Sequence, residues 1–233
     1  MKKIQLIREE LLDIYQRLLE HFGPRHWWPA DTPLEMIFGA FLTQNVSWKG
    51  ASQAIANLKA QNLLALQAVL AVSHEELANL LRPARYYNQK AQRLKAFCEV
   101  IVKEYQGSLQ RFLEEETASL RQRLLQIKGV GQETADAIIL YAAQKPIFVI
   151  DVYTRRIFER LGYFKEPVSY RAMQEFFMNH LPLDTALFNE YHAQIDALGH
   201  HLCLKRKPLC QECPLRDRCR FVLSPSSGAV ESF

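Results

Sequence analysis

No stretch of this 233-residue chain is long and apolar enough to form a membrane-spanning helix. A secretion leader is not expected either. MKKIQLIREELLDIYQRLLEHFG starts basic, but Arg8, Glu9, Glu10 and Asp13 interrupt the apolar core that a leader needs. Charge of one sign is lacking too: 29 Lys and Arg against 25 Asp and Glu leave a net +4, which admits a polyanionic partner without requiring one. Strand signals are sparse; Ile147-Phe148-Val149-Ile150 could pair, but it has no obvious partner. No repeat or low-complexity segment precedes SPSSGAVESF, residues 224–233, which is expected to be poorly ordered. The 7 histidines show no metal-ligand spacing. With 48% hydrophobic residues the chain is neither disordered nor too short for a sizeable core. These absences leave a soluble, cytoplasmic protein of one large domain or two small ones.

What is present is helical periodicity. Ile4, Ile7, Leu11, Ile14 and Leu18 recur at three- and four-residue steps, which predicts an amphipathic first helix. Helices are also expected near 33–60, 62–71, 73–81, 88–105, 117–125, 132–143, 151–161, 169–180 and 184–202. Pro33 suits a first helical turn capped by Asp31 or Thr32, and Ser73 with Glu76 has capping-box spacing. The fold class is all-α.

Only 5 cysteines occur, and four of them sit in CLKRKPLCQECPLRDRC. Cys203, Cys210, Cys213 and Cys219 are spaced C-x6-C-x2-C-x5-C, so four thiolates can converge on one metal centre. Disulfides are the competing reading, disfavoured in a reducing compartment. Zinc and a four-iron cluster both accept four thiolates, and spacing alone does not choose between them. Cys98 lies on an apolar helical face and reads as core.

Glycine is also scarce, at 9 residues, yet Gly129-Val130-Gly131 places two of them one residue apart between two apolar helical patterns. Leu124, Ile127, Val130, Ala135, Ile138 and Ile139 would pack two short helices at an angle, while the glycines permit positive φ and keep the turn bare. Backbone N–H groups at the second helix's start then suit a phosphate, with Lys128 adding charge. An ordinary helix–turn–helix corner is the plain alternative. Such a site binds DNA without sequence preference, since phosphate contacts position but do not specify.

A glycine hairpin, an aspartate following it and a terminal four-cysteine loop together resemble the endonuclease III branch of the helix-hairpin-helix DNA glycosylase superfamily, over roughly residues 5–222. The cysteine spacing matches that branch's [4Fe-4S] cluster at all four positions, so the resemblance implies iron–sulfur. Within the branch, WWP (27–29), LTQN (42–45), RP (82–83), YYNQKA (86–91) and GVGQETADAI (129–138) are most similar to the 3-methyladenine glycosylase III subgroup. One departure is that the best-described member of that subgroup lacks the cysteine loop.

The resemblance implies roles. Asp151 stands where the family's essential aspartate stands; on the residues alone it reads as the N-cap of the helix starting at Val152, and the two roles are compatible. Bifunctional members carry a nucleophilic lysine in GVGRKTA, whereas here GVGQETA puts Glu133 in its place, implying base removal without strand cleavage. Trp27 and Trp48 occupy the positions of an aromatic pair that stacks on the extruded base, with Trp28 beside them; filling a helix junction is the alternative. Gln44 and Asn45 fall where relatives fill the gap left by the flipped nucleotide, or they cap a helix. Lys205 and Arg206, with Lys207, make a basic run suited to phosphates, and His200 and His201 are expected to pack on the cysteine loop.

Two helical lobes are expected. Residues 32–146 would carry the hairpin, 1–31 and 147–222 would form the second lobe with the iron–sulfur loop at 203–219, and 223–233 would be a flexible tail. Asp151 and the tryptophans would meet in the cleft between the lobes. The expected function is a monofunctional DNA glycosylase for N-alkylated purines. Its partner is double-stranded DNA containing a damaged base, not a membrane, and it acts as a monomer near the nucleoid. A glycosylase for mismatched, deaminated or oxidised bases and a non-catalytic DNA-binding module are the alternatives.

Overall fold

The computed structural model describes residues 2–164 and 168–223; the tail expectation lies outside the described residues. In chain order the helices are α1 (Lys2–Phe22), α2 (Pro33–Leu42), α3 (Trp48–Ala60), α4 (Leu66–Ala71), α5 (His74–Leu80), α6 (Tyr87–Tyr105), α7 (Leu109–Leu113), α8 (Thr117–Gln126), α9 (Gln132–Ala137), α10 (Val152–Leu161), α11 (Tyr170–His180), α12 (Thr185–His201) and α13 (Arg220–Leu223). α9 continues as a wider π turn over Ile138–Ala142. No strand occurs among the described residues. The chain forms two compact units, Trp28–Lys145 and a second made of Met1–Trp27 with Pro146–Phe233.

In the Trp28–Lys145 unit, α2 is apolar almost all round and is buried from Glu35 to Leu42, which makes it the central helix. Thr32 is its cap, accepting from the Glu35 N–H at 3.2 Å, with Pro33 in the first turn. Phe41, Phe97 and Phe112 form a ring ladder behind it, at 5.8 and 6.1 Å. The expected Ser73–Glu76 capping box is formed in both directions.

The helical segment expected over 33–60 is broken. The Thr43 hydroxyl bonds back to the Gly39 carbonyl at 3.0 Å, and Asn45 takes φ 55°, so the chain turns out of α2 and restarts at Trp48. Two further positive-φ residues, Arg85 (φ 53°) and Tyr86 (φ 43°), precede α6.

In the other unit, Leu11, Ile14 and Leu18 of α1 are fully buried as the periodicity predicts, whereas Ile4 is exposed. Residues 147–150 are buried and belong to neither helix nor strand. Side chains meet their backbone groups: Gln174 donates to the Phe148 carbonyl at 2.8 Å, and the Ile150 N–H donates to the Tyr170 hydroxyl at 3.3 Å. Phe148 stacks on Phe177 at 4.1 Å and meets Phe188 edge-on at 5.3 Å. This anchored segment leads directly into Asp151.

Candidate active site

The α8–α9 corner is built around its glycines. Gly129 has φ +88°, a conformation costly for any side-chain-bearing residue, and Val130 plugs the corner at 7% exposure. Gly131 begins α9 with ordinary backbone angles, no side chain caps the helix there, and a Cβ on Gly131 would meet nothing within 4 Å. The corner therefore presents open backbone to solvent, with exposed Lys128 beside it. Beneath, Arg121 of α8 grips the fully buried Asp136 of α9 in a two-pronged pair at 2.6 and 3.1 Å.

Gln44 is part of this corner. Its side-chain amide donates to the Gly129 carbonyl at 3.1 Å and the Thr134 hydroxyl at 2.9 Å, while its oxygen accepts from Arg93. Asn45, next in the chain, is exposed. Lys90 of α6, 1% exposed, donates to the Leu42 carbonyl at 2.8 Å and the Ala84 carbonyl at 2.6 Å. It thereby ties together the starts of the two left-handed loops, one carrying Asn45 and the other Tyr86, an aromatic 62% exposed.

Trp28 and Trp48 meet edge-to-face at 5.7 Å, and Tyr141, on the π turn, meets Trp28 at 5.6 Å. Gly39 lets the Trp28 indole lie on α2: a Cβ there would stand 3.0 Å from its Nε1. These indoles line a cavity of about 180 Å³ with Pro29, Ile55, Glu35 and Lys59. Glu35 is 6% exposed and pairs with Lys59 at 2.7 Å, and Lys59 also reaches Asp31 at 2.7 Å. Glu35 and Lys59 thus pair within the wall, and the exposed Asp31 carboxylate lies outside it. With the two rings in mutual contact, a flat ligand would lie on an outer indole face and not between them. Trp27 belongs to the other compact unit.

Asp151 caps α10. One of its oxygens accepts from the Thr154 N–H at 2.6 Å and from the Thr154 hydroxyl at 2.7 Å. Further along the same helix, Arg156 donates to the carbonyls of Cys203 and Gly199, both at 2.8 Å. One turn on, Arg160 donates to the Cys203 sulfur at 3.1 Å and the Leu204 carbonyl at 2.8 Å. One helix thus carries the carboxylate at its start and holds the cysteine loop with its last turns. A Cβ on Gly199 would collide with the Tyr153 ring at 2.4 Å, so only glycine lets α12 lie this close to α10. His200 meets Tyr153 and His201 meets Phe22.

The four loop cysteines are half-buried. Burial pushes the Cys213 thiol up to about 11, and the nearby Cys203, Cys219 and Cys210 push it the same way, so the four sulfurs share one neighbourhood. No three His, Cys, Asp or Glu among the described residues are gathered as tightly as a single ion needs. Four cysteine thiolates in one loop are the donor set that a four-iron cluster takes. Lys205 and Arg206 of the same loop are exposed.

A family model for HhH-GPD superfamily base excision DNA repair proteins matches residues 38–182. The chain belongs to that superfamily. A second model, the iron–sulfur binding domain of endonuclease III, matches residues 203–219. This HhH-GPD protein is a DNA glycosylase, and its cofactor is a [4Fe-4S] cluster. It is 43% identical over 213 residues, 91% of its length and 96% of the relative's, to the "Putative DNA repair glycosylase MJ1434" of Methanocaldococcus jannaschii. It is 26% identical to the endonuclease III of Thermotoga maritima, over 94% and 97% of the two chains. Among solved structures it is similar to the H. pylori 3-methyladenine DNA glycosylase bound to 1,N6-ethenoadenine. That match has TM-score 0.71 and 31% identity, over 81% of this chain and 94% of the other. No helix of the described residues is long and apolar enough to cross a membrane.

Glu35, Lys59, Arg93 and Arg121 of this HhH-GPD chain did not stand out in the sequence, and Tyr86 did so only as part of YYNQKA (86–91). Of the first four only Arg121 left a trace, as a charge beside the apolar Leu120 and Leu124 of its helix. The others act through contacts between residues far apart in the chain.

Proposed function

We propose that the chain is a monofunctional DNA glycosylase that hydrolyses the N-glycosidic bond of N-alkylated purines, 3-methyladenine and 7-methylguanine, in duplex DNA and leaves an abasic site. The observation that carries this reading is the Trp28–Trp48 cavity with Glu35 in its wall. A purine alkylated at N3 or N7 is cationic. An indole face attracts a cation by about 0.5–2 kcal/mol. Trp27, Trp28 and Trp48 are assigned to the base. The same positive charge makes the base a good leaving group, so no strong acid is needed.

Asp151 is assigned the chemical step. As the C1′–N bond breaks, its electron pair leaves with the base and positive charge grows on the sugar. The carboxylate stabilises that charge and takes a proton from the attacking water as the C1′–O bond forms. Capping α10 supports this role, because the two donors from Thr154 fix the carboxylate at the start of the helix. Glu133, exposed on α9, has no amine to form a Schiff base, so the reaction stops at the abasic site.

The remaining roles follow from chemistry. Lys128, Gly129, Val130 and Gly131 hold a phosphate, with Lys205 and Arg206 on the cluster loop adding a second backbone contact. Asn45 enters the space left by the extruded nucleotide, with Gln44 holding its loop to the hairpin. Cys203, Cys210, Cys213 and Cys219 hold the cluster, which fixes their loop. The protein works as a monomer on chromosomal DNA.

Base release from methylated duplex DNA by wild type and Asp151→Asn, with strands resolved before and after alkali, tests the proposal. The expected result is free 3-methyladenine, breaks only after alkali, and loss in the variant. Breaks without alkali would overturn the assignment of Glu133. Release only from oxidised or mismatched DNA would move the substrate to the endonuclease III type.

A further inference from the structure

α12 packs along α10 and brings His192 to Asp151. The imidazole Nε2 lies 3.8 Å from the carboxylate oxygen Oδ2, and the two side chains are 11% and 10% exposed. The other oxygen, Oδ1, is the one that Thr154 holds with its N–H and hydroxyl. The carboxylate is thus approached on one side by two donors of its own helix and on the other by a ring from a neighbouring helix.

The surroundings are rich in charge. Asp196 lies on α12, and burial pushes its carboxyl up, with His192, His200 and His201 opposing that and Asp151 adding to it. Tyr153 of α10 has its hydroxyl pushed up by burial, with Asp196 and Asp151 adding to the effect, and the Arg156 guanidinium lies over its ring at 4.9 Å. α1, also packed on α12, meets it through Tyr15 against Tyr191 and Phe22 against His201. Two half-buried carboxylates, Asp151 and Asp196, therefore share the neighbourhood of one imidazole. His192 is the ring that faces the Asp151 oxygen Thr154 leaves free of its own bonds.

We propose that His192 is a positioning residue for Asp151: its Nε2, 3.8 Å from Oδ2 and beyond direct hydrogen-bond length, steers that oxygen electrostatically while Thr154 holds Oδ1, keeping the carboxylate plane in the orientation that the glycosidic step uses. This rests on the glycosylase reading of Asp151. A carboxylate held at one oxygen only can rotate about its Cβ–Cγ bond, and a misplaced charge stabilises the developing sugar cation less. The ring itself touches neither base nor sugar in this assignment, so its loss should slow the chemical step without weakening DNA binding.

The test compares wild type, His192→Leu and His192→Gln on methylated duplex DNA, reading kcat and KM separately. His192→Leu keeps the volume but no donor; about tenfold or greater loss of kcat is expected, with KM unchanged. His192→Gln, which keeps an N–H donor, should recover much of the loss. Equal losses in both variants, or none in either, would overturn the proposal. Should His192→Leu fail to fold, the Cε1–H resonance of His192 is compared at fixed pH in wild type and Asp151→Asn. Asparagine also caps helices, so that variant keeps the fold. A shifted resonance supports the pairing and an unshifted one overturns it. If wild type releases no base at all, the glycosylase reading fails, while the resonance still decides whether the two side chains pair.

Discussion

Gln44 donates its side-chain amide to the Gly129 carbonyl at 3.1 Å, joining residues 85 positions apart in the chain. The same amide reaches Thr134, and Arg93 donates to the Gln44 oxygen, so one side chain connects α6, the loop after α2 and the glycine corner. A polar side chain in this position holds the corner in one shape through three bonds that an alanine cannot make. Gln44→Ala is expected to lower stability by about 1–3 kcal/mol, measured by urea unfolding, and to weaken binding to undamaged duplex as well as to damaged DNA. An effect on damaged DNA alone would mean that Gln44 acts on the extruded site and not through the corner.

The two glycines of that corner should separate cleanly. Gly129 has φ +88°, and a Cβ there would fall 2.5 Å from Arg93 Cδ, so Gly129→Ala is expected to cost about 1–3 kcal/mol of stability. Gly131 has φ −93° and open space where a Cβ would go, so Gly131→Ala should fold normally. If a phosphate approaches the bare backbone there, the methyl group should raise the DNA Kd by about tenfold with no change in Tm. An unchanged Kd would remove Gly131 from the phosphate site.

Lys90 makes a pH prediction. Burial lowers its ammonium from 10.5 to about 8, with Arg93 adding to the effect. A group with a lowered folded value contributes most where both states are neutral, above about 10.5, and that contribution is lost as pH falls toward 8, where only the unfolded chain takes up the proton. The span corresponds to ~3 kcal/mol. Measured against Lys90→Met, which cancels the other titrating groups, the wild type should therefore gain relative stability between pH 8 and 10.5. A difference that stays flat over this window would mean that Lys90 remains charged in the folded protein.

The contrast between these positions explains what could be read from the chain. Helix caps and the glycine corner are local devices, so Thr32, Ser73–Glu76, Asp151 and Gly129 were legible from a few consecutive residues. The all-α class followed from periodicity over the same short range. Gln44 carried the right position but not its partners, because its bonds to Gly129 and Thr134 exist only once the chain is folded. The break after Leu42 was hidden for a different reason: 33–60 is helical in pattern, and only the Thr43 hydroxyl and the left-handed Asn45 interrupt it. Glu35 stood out in no way in the sequence, and nothing in its neighbours announced that it would end beside two indoles.

Arg160 offers a test of the cluster loop that does not depend on base release. Its guanidinium donates to the Cys203 sulfur at 3.1 Å and to the Leu204 and Lys205 carbonyls at 2.8 and 3.2 Å. With Cys203 as a cluster ligand, a cationic donor on its sulfur stabilises the more negative, reduced cluster and so raises the reduction potential. Arg160→Leu should lower that potential by tens of millivolts, on the scale where ~59 mV is tenfold for one electron, as read by voltammetry on the purified protein. The variant should also lose its visible iron–sulfur absorbance faster on standing, because three bonds that pin the loop are gone. Arg160→Lys keeps the charge but not the planar fork, and should fall between the two in potential while still loosening the loop. If the potential is the same in all three proteins, the Arg160–Cys203 contact does not act on the cluster, and its role is confined to holding the chain.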